Sequence, residues 1–186
     1  IIPYICNDRN LILMKVARLS LLLLVIHLSV VPLFAQKSYL RFQSLSVDEG
    51  LSQSIVTSIV EDSHGILWVG TRNGLNRLIG KSISVLHSYD SDSSLLPSDQ
   101  IRCLRLGPEG KIWIGTYDAG LVSFDPRTEE SVSYSFTDSS GKDLSNSEIS
   151  RIEFSSDNVL WAAAGSSGLF YLDTQNGRKG VINIRE

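Results

Sequence analysis

Every tryptophan in the chain sits inside the same short phrase. "GILWVGTRNGLNRL" at 65–78, "GKIWIGTYDAGLVSF" at 110–124 and "NVLWAAAGSSGLFYL" at 158–172 place Trp68, Trp113 and Trp161 at intervals of 45 and 48 residues. The Gly-Leu steps at Gly74, Gly120 and Gly168 keep the same pace, 46 and 48 residues apart. An apolar pair precedes each phrase at matching distance: Val56 and Ile59, Ile101 and Leu104, Ile149 and Ile152. A fixed period of this length means one supersecondary unit repeated, each copy burying its apolar faces against its neighbours.

The unit is built from strands. In the first copy the runs "SIVTSIV", "ILWVGT", "LNRLI" and "ISVLHSY" are separated by "EDSHG", "RNG" and "GKS". Short runs of β-branched and aromatic residues punctuated by Gly, Asn, Asp and Ser favour antiparallel strands. Four strands in 40 to 50 residues is the period of a β-propeller blade, whereas leucine-rich and ankyrin repeats are shorter. The fold class expected is all-β, with three consecutive four-stranded blades of an incomplete propeller at about 40–90, 91–138 and 139–186, the last of these not necessarily whole. In this reading Trp68, Trp113 and Trp161 fill the wedge between blades. Gly70 and Gly74, with their counterparts Gly115, Gly120 and Gly168, let the chain turn or let sheets approach where a Cβ would clash. The Thr71 and Thr116 hydroxyls can bond nearby backbone, which Ala164 cannot.

The first fifth reads as a targeting segment rather than as part of the fold. Lys15 and Arg18 precede the apolar "LLLLVIHLSVVPLFA", and Gln36 opens a polar sequence. The expectation is a signal peptide over 14–35, cleaved between Ala35 and Gln36. Residues 1–13, upstream of the only methionine, are expected to be upstream sequence or a misplaced start. The apolar run, interrupted by His27 and Pro32, falls short of the roughly 20 residues of a membrane-spanning helix. The leader removes three basic residues and one acidic one, so 36–186 holds 14 Lys and Arg against 19 Asp and Glu. An acidic chain without a basic patch gives no support for nucleic-acid binding. Only Cys103 remains, which rules out an internal disulfide in 36–186. An exported chain without disulfides suits a bacterial periplasm.

"DEGLSQSIVTSIVEDSHGILWVGTRNGLNRLIG" resembles the two-component regulator propeller repeat, whose units carry D-x-x-G-x-[LI]-W-[IV]-G-T and then a Gly-Leu step. "LRLGPEGKIWIGTYDAGLVSFDP" and "LSNSEISRIEFSSDNVLWAAAGSSGLFYLDTQNG" are similar at the same places, as is the lead-in "LRFQSLSVDEGLSQSIV". The third unit departs from the pattern, with Ala163-Ala164 for Gly-Thr and Asn158 for the turn glycine. Asp62 has no acidic counterpart in units two and three. The resemblance implies the periplasmic sensing region of a hybrid two-component histidine kinase, with an oligosaccharide as the ligand. It implies that this chain is an amino-terminal piece without a kinase module or enzymatic activity. Its partners would be the remaining blades or another copy of the chain, and it would reach the membrane only through downstream sequence.

"DSDSS" at 90–94 opens like a calcium loop, but Leu95 and Ile101 stand where Gly and Glu are needed. "GPEGK" at 107–111 has a turn's composition and not a phosphate loop's spacing. His27 in the leader, His64 in a turn and His87 in a strand make neither a metal cluster nor a base. No metal and no cofactor is expected, and ligand-binding residues are unassigned. Tyr89, Tyr117 and Asp118 lie in or near loops with side chains able to stack on or bond sugars. The alternative is a propeller-type periplasmic enzyme: "GLFYLDTQNGRKG" is like a quinoprotein dehydrogenase blade, and "SSDNVLW" is like a degraded sialidase Asp-box. Each occurs once.

Overall fold

The structure, a computed structural model, describes residues 5–30, 42, 44–89 and 96–182. The chain divides into two compact units, Ile1–Gln43 and Ser44–Glu186. In the first, helix α1 (Ile5–Val30) runs without a break across Met14. It contains neither Gly nor Pro, and its Leu, Ile, Ala, Lys and Arg residues favour helix. Leu19 and Leu21 to Ile26 are exposed. Among the described residues no helix is long and apolar enough to cross a membrane. The expected cleavage point, Ala35 and Gln36, and the "DSDSS" stretch lie outside the described residues.

The second unit is three four-stranded antiparallel sheets, each a meander in chain order. The first holds β1 (Val56–Glu61), β2 (Leu67–Thr71), β3 (Gly74–Ile79) and β4 (Ser82–Leu86). The second holds β5 (Ile101–Leu106), β6 (Ile112–Thr116), β7 (Leu121–Asp125) and β8 (Glu130–Tyr134). The third holds β9 (Arg151–Phe154), β10 (Val159–Ala163), β11 (Leu169–Asp173) and β12 (Lys179–Ile182). The repeat period is therefore a structural period, and the sheets are consecutive blades of an unclosed propeller. The register repeats as well: Trp68 pairs with Val60 and Arg77, Trp113 with Arg105 and Ser123, and Trp161 with Glu153 and Tyr171. Asn158 is no exception to the turn chemistry. It adopts φ 62°, beside φ 77° at Gly65 and 74° at Gly110, the left-handed region that asparagine tolerates better than other non-glycine residues. His87, expected in a strand, is the first residue after β4, where the chain leaves the sheet.

Successive blades meet through their first strands. Thr57 Oγ1 donates to Ile101 O (3.0 Å), and Leu104 N–H donates to Ser58 Oγ (3.0 Å). One apolar core lies between the first and second sheets, around Trp68, Leu75, Ile101, Leu104 and Phe124. A second lies between the second and third, around Trp113, Leu121, Ile149, Ile152 and Phe170. The close approach depends on glycine: a Cβ at Gly70 would stand 2.7 Å from Ile101 Cγ2, and one at Gly115 would stand 2.7 Å from Ile149 Cγ2. Trp68 meets Phe124 of the next blade edge-on at 5.3 Å, and Trp113 meets Phe154 likewise at 6.1 Å. Trp161 contacts Tyr171 of its own sheet and is half-buried. The Thr hydroxyls close their hairpins as expected, Thr71 Oγ1 to Gly74 O (3.1 Å) and Thr116 Oγ1 to Gly120 O (2.9 Å).

The first blade carries a lock that the other two lack. The Asp62 carboxylate accepts from Trp68 Nε1 (2.9 Å) and from the backbone N–H groups of His64 (2.8 Å) and Ile66 (3.1 Å). Burial pushes the Asp62 carboxyl up, but these hydrogen bonds outweigh it and hold the group below the usual carboxylate range. A carboxyl whose pKa is lower folded than unfolded stabilises the fold above its unfolded value, about 3.9, and that stability is lost as pH falls through the folded value. Asp62→Asn is therefore expected to cost about 1.5–3 kcal/mol at neutral pH. The gap from the parent protein should narrow below about pH 4, as denaturant titrations at a series of pH values would measure. A gap independent of pH would show that charge on Asp62 plays no part.

Candidate functional site

Loops gather at both ends of the blades. At one end lie the β2–β3 and β6–β7 turns and the links between sheets, with the three residues that the sequence put forward. Asp118 is engaged in structure: it accepts from Ser98 Oγ (2.5 Å) and Gln100 Nε2 (3.2 Å), tying the β6–β7 turn to the strand entry of β5. The Tyr117 N–H donates to Gln100 O (2.9 Å) while its ring stays exposed. Tyr89 stacks on His87 at 4.7 Å. The structure thus makes Asp118 a brace and leaves the two tyrosine rings at the surface.

At the other end, between the second and third blades, is a cleft of about 410 Å³. One wall is the turn at 108–111, the opposite wall is Asn158 and the β11–β12 turn, and Trp113 and Tyr134 lie at its base. The turn at 108–111 is unlike its counterpart in the first blade, with Glu109 itself left-handed at φ 64°. Gly107 stands where Asp62 stands in the first blade. A Cβ on Gly107 would come within 2.4 Å of Trp113 Nε1, so the indole edge has moved into the room a side chain would occupy. Trp113 is only 3% exposed, and among the described residues no acceptor meets its N–H. The N–H is not a buried donor left unpaired; it opens on the cleft, where an acceptor oxygen of a bound molecule could take it.

The chemistry around this donor carries both signs of charge. Glu109, Lys111 and Asp173 line the cleft. Asp173 is largely satisfied by the Gln175 N–H (3.0 Å) and the Asn176 side-chain amide (2.6 Å). Nearby, Arg127 and Asp125 form an ion pair at 3.0 Å, and the hydrogen bonds from Arg127 hold the Asp125 carboxyl below its ordinary range. The Tyr134 ring lies 5.0 Å from Trp113, and its hydroxyl shares a 3.3 Å hydrogen bond with Ser123. Donors, acceptors and aromatic edges without a dominant charge fit a neutral polar molecule with an apolar side. The Cys103 thiol, half-buried beside the same core, is pushed up to about 11 by burial, so it stays protonated and bonds Ile149 O at 3.6 Å. Among the described residues no group of three or more His, Cys, Asp or Glu side chains could hold a metal ion.

From sequence, 107–111 reads as a turn. The signal for the cleft was there: an acidic residue six positions before Trp68 becomes glycine before Trp113. Asn76 was missed altogether. It is fully buried, accepts from Ser52 N–H (2.8 Å) and donates to Val69 O (3.0 Å), holding residue 52 and its neighbours onto the first blade.

Comparison with known proteins agrees with this architecture. The description "Two component regulator propeller" fits residues 50–73 and 95–118, which cover the first strands and Trp-bearing or Gly-Thr segments of the first two blades. Histidine kinase P4 of Formosa agariphila is 42% identical over 64 residues, 34% of this chain and 5% of that protein. Among solved structures, the extracellular domain of the hybrid two component system BT3049 from B. thetaiotaomicron superposes with a TM-score of 0.67 at 27% identity, covering 76% of this chain and 20% of that one. The extracellular domain of BT4673 from the same organism gives 0.58 at 20% identity over 82% of this chain and 19% of that one, a likeness of fold. The chain spans about a twentieth of the curated relative and a fifth of these domains.

Proposed function

The chain belongs to the two-component regulator propeller family, and on that premise we propose that it forms part of the extracellular, ligand-sensing region of a hybrid two-component sensor. It works outside the inner membrane, reached through a cleaved signal peptide, and it binds rather than catalyses. Its ligand is an oligosaccharide. The observation that carries this reading is the 27% identity to the extracellular domain of BT3049 over 76% of the chain. The cleft at Trp113 supplies the kind of surface a sugar needs, with an indole N–H open to it, polar walls and aromatic edges.

Titration calorimetry of the full chain against a panel of neutral and acidic oligosaccharides tests it. Trp113→Phe keeps an aromatic ring and removes the N–H together with the five-membered ring of the indole. It is expected to weaken binding about tenfold, as loss of one good hydrogen bond does, and the smaller ring at a buried position should also lower the melting temperature. Failure of every oligosaccharide to bind would sink the ligand class. Release of a cleaved sugar would overturn the binding reading in favour of an enzyme.

A further inference from the structure

The two blade junctions inside this chain are made alike. In each, the sheet on the Trp side offers glycine and a small polar residue, and the next sheet lays the isoleucine of its first strand on them. Gly70 and Ser58 receive the second sheet: Ile101 packs over Gly70, and Ser58 Oγ takes the Leu104 N–H. Gly115 and Cys103 receive the third: Ile149 packs over Gly115, and Cys103 Sγ bonds Ile149 O. Carboxylates of the third sheet also meet arginines of the second, Glu148 with Arg102 at 2.7 Å and Glu153 with Arg105 at 2.9 Å.

The corresponding face of the third sheet breaks the pattern at both positions. Ala163 stands at the place of Gly70 and Gly115, and Arg151 at the place of Ser58 and Cys103. A Cβ at Gly115 would lie 2.5 Å from Cys103 Sγ, 2.7 Å from Ile149 Cγ2 and 2.8 Å from Ile149 O. Ala163 carries such a Cβ, so a sheet docking in the same register would meet it too closely at a β-branched side chain and its backbone. Arg151 reaches only to Glu153 of its own strand, at 3.3 Å, with its side chain 77% exposed. The face beside it is uncovered, with Trp161, Tyr171 and Ile182, together with Asp173 and Arg178, around an open hollow.

We infer that the third sheet seats a propeller sheet from outside these 186 residues that is made differently from the second and third. Its first strand carries a glycine or alanine where Ile101 and Ile149 stand, and it presents a carboxylate to Arg151. A second copy of this chain does not meet those terms. Its first sheet would bring Val56 to Ala163, and at the positions of Glu148 and Glu153 it offers Ile55 and Val60, not acids. Val56 and Ile59 are exposed, at 39% and 59%, so the copy's apolar edge is available and the refusal lies with Ala163 and Arg151.

Sedimentation velocity on the full chain over a range of concentrations tests this with the chain's own first sheet as the probe. Ala163→Gly with Arg151→Ser rebuilds the receiving face of the first blade. It is expected to make copies associate head to tail at least about tenfold more tightly than the parent chain, and Ile59→Arg in the same protein should abolish the gain. Ala163→Gly with Ile55→Glu keeps Arg151 and gives the copy a carboxylate, and it should associate more tightly than Ala163→Gly alone. Thermal melting confirms that each variant folds, since both altered positions lie on an open face. The steric part is overturned if the parent chain associates through Ile59 as tightly as the rebuilt variant, or if the rebuilt variant gains nothing. The charge part is overturned if Ile55→Glu adds nothing.

Discussion

Replacing Trp68 with alanine is expected to lower the stability of the 44–186 unit by about 3–5 kcal/mol, the usual cost of truncating a buried aromatic with little room to relax. Trp68 is fully buried, meets Phe124 of the neighbouring blade edge-on and is bonded through its N–H to Asp62. The Arg77 guanidinium lies over its ring at 5.9 Å. The truncation would therefore open a void between two sheets and leave the Asp62 carboxylate short of a donor. Trp161→Ala is the internal control, because that ring is half-exposed and touches its own sheet; it should cost much less. Denaturant unfolding of the three proteins measures both differences. Equal losses at Trp68 and Trp161 would show that the wedge between blades is not where the stability lies.

Gly120→Ala is expected to be as damaging, for a different reason. Gly120 ends the β6–β7 turn at φ 69°, and a Cβ built there would stand 1.9 Å from Ser145 O. The clash is with backbone, which a rotamer change cannot relieve. It falls where the Thr116 hydroxyl and N–H both bond Gly120 O, and where Ile149 N–H bonds Thr116 O across to the third blade. Strain from a left-handed alanine alone costs about 1–2 kcal/mol. Displacement of the Ser145 backbone should raise the total to roughly 3 kcal/mol or more. Gly141→Ala separates the two contributions: φ is 86° there, but nothing lies within 4 Å. Melting curves that place the two variants together would show that the close approach at Ser145 is unimportant.

The repeat, the strand order and the all-β class were legible in the sequence, because each rests on local information. Short β-branched and aromatic runs, glycine and asparagine turns, and the recurring Trp phrase lie within about 25 residues of one another in each blade, and hydrogen bonding between consecutive strands of a meander needs nothing more distant. Even the departure at Asn158 was decipherable locally, since its left-handed φ is a property of one residue. What covers each tryptophan was a different matter. Trp68 is sealed by Phe124, and Trp113 by Phe154, residues 56 and 41 positions further along, while Trp161, with the same sequence signature, stays half-exposed. Asp62 accepts the N–H of Trp68, and Gly107 at the matching position leaves the N–H of Trp113 without a carboxylate. Only the packing of two sheets shows that the first is a closed contact and the second opens on a cleft. Likewise Ala163 is an unremarkable strand residue until the sheets are stacked, when the 2.7 Å approaches at Gly70 and Gly115 make one methyl group a barrier. Burial and clash depend on atoms brought together from distant parts of the chain, so the tertiary structure alone decided which of three near-identical faces is filled, which is hollow and which selects its partner.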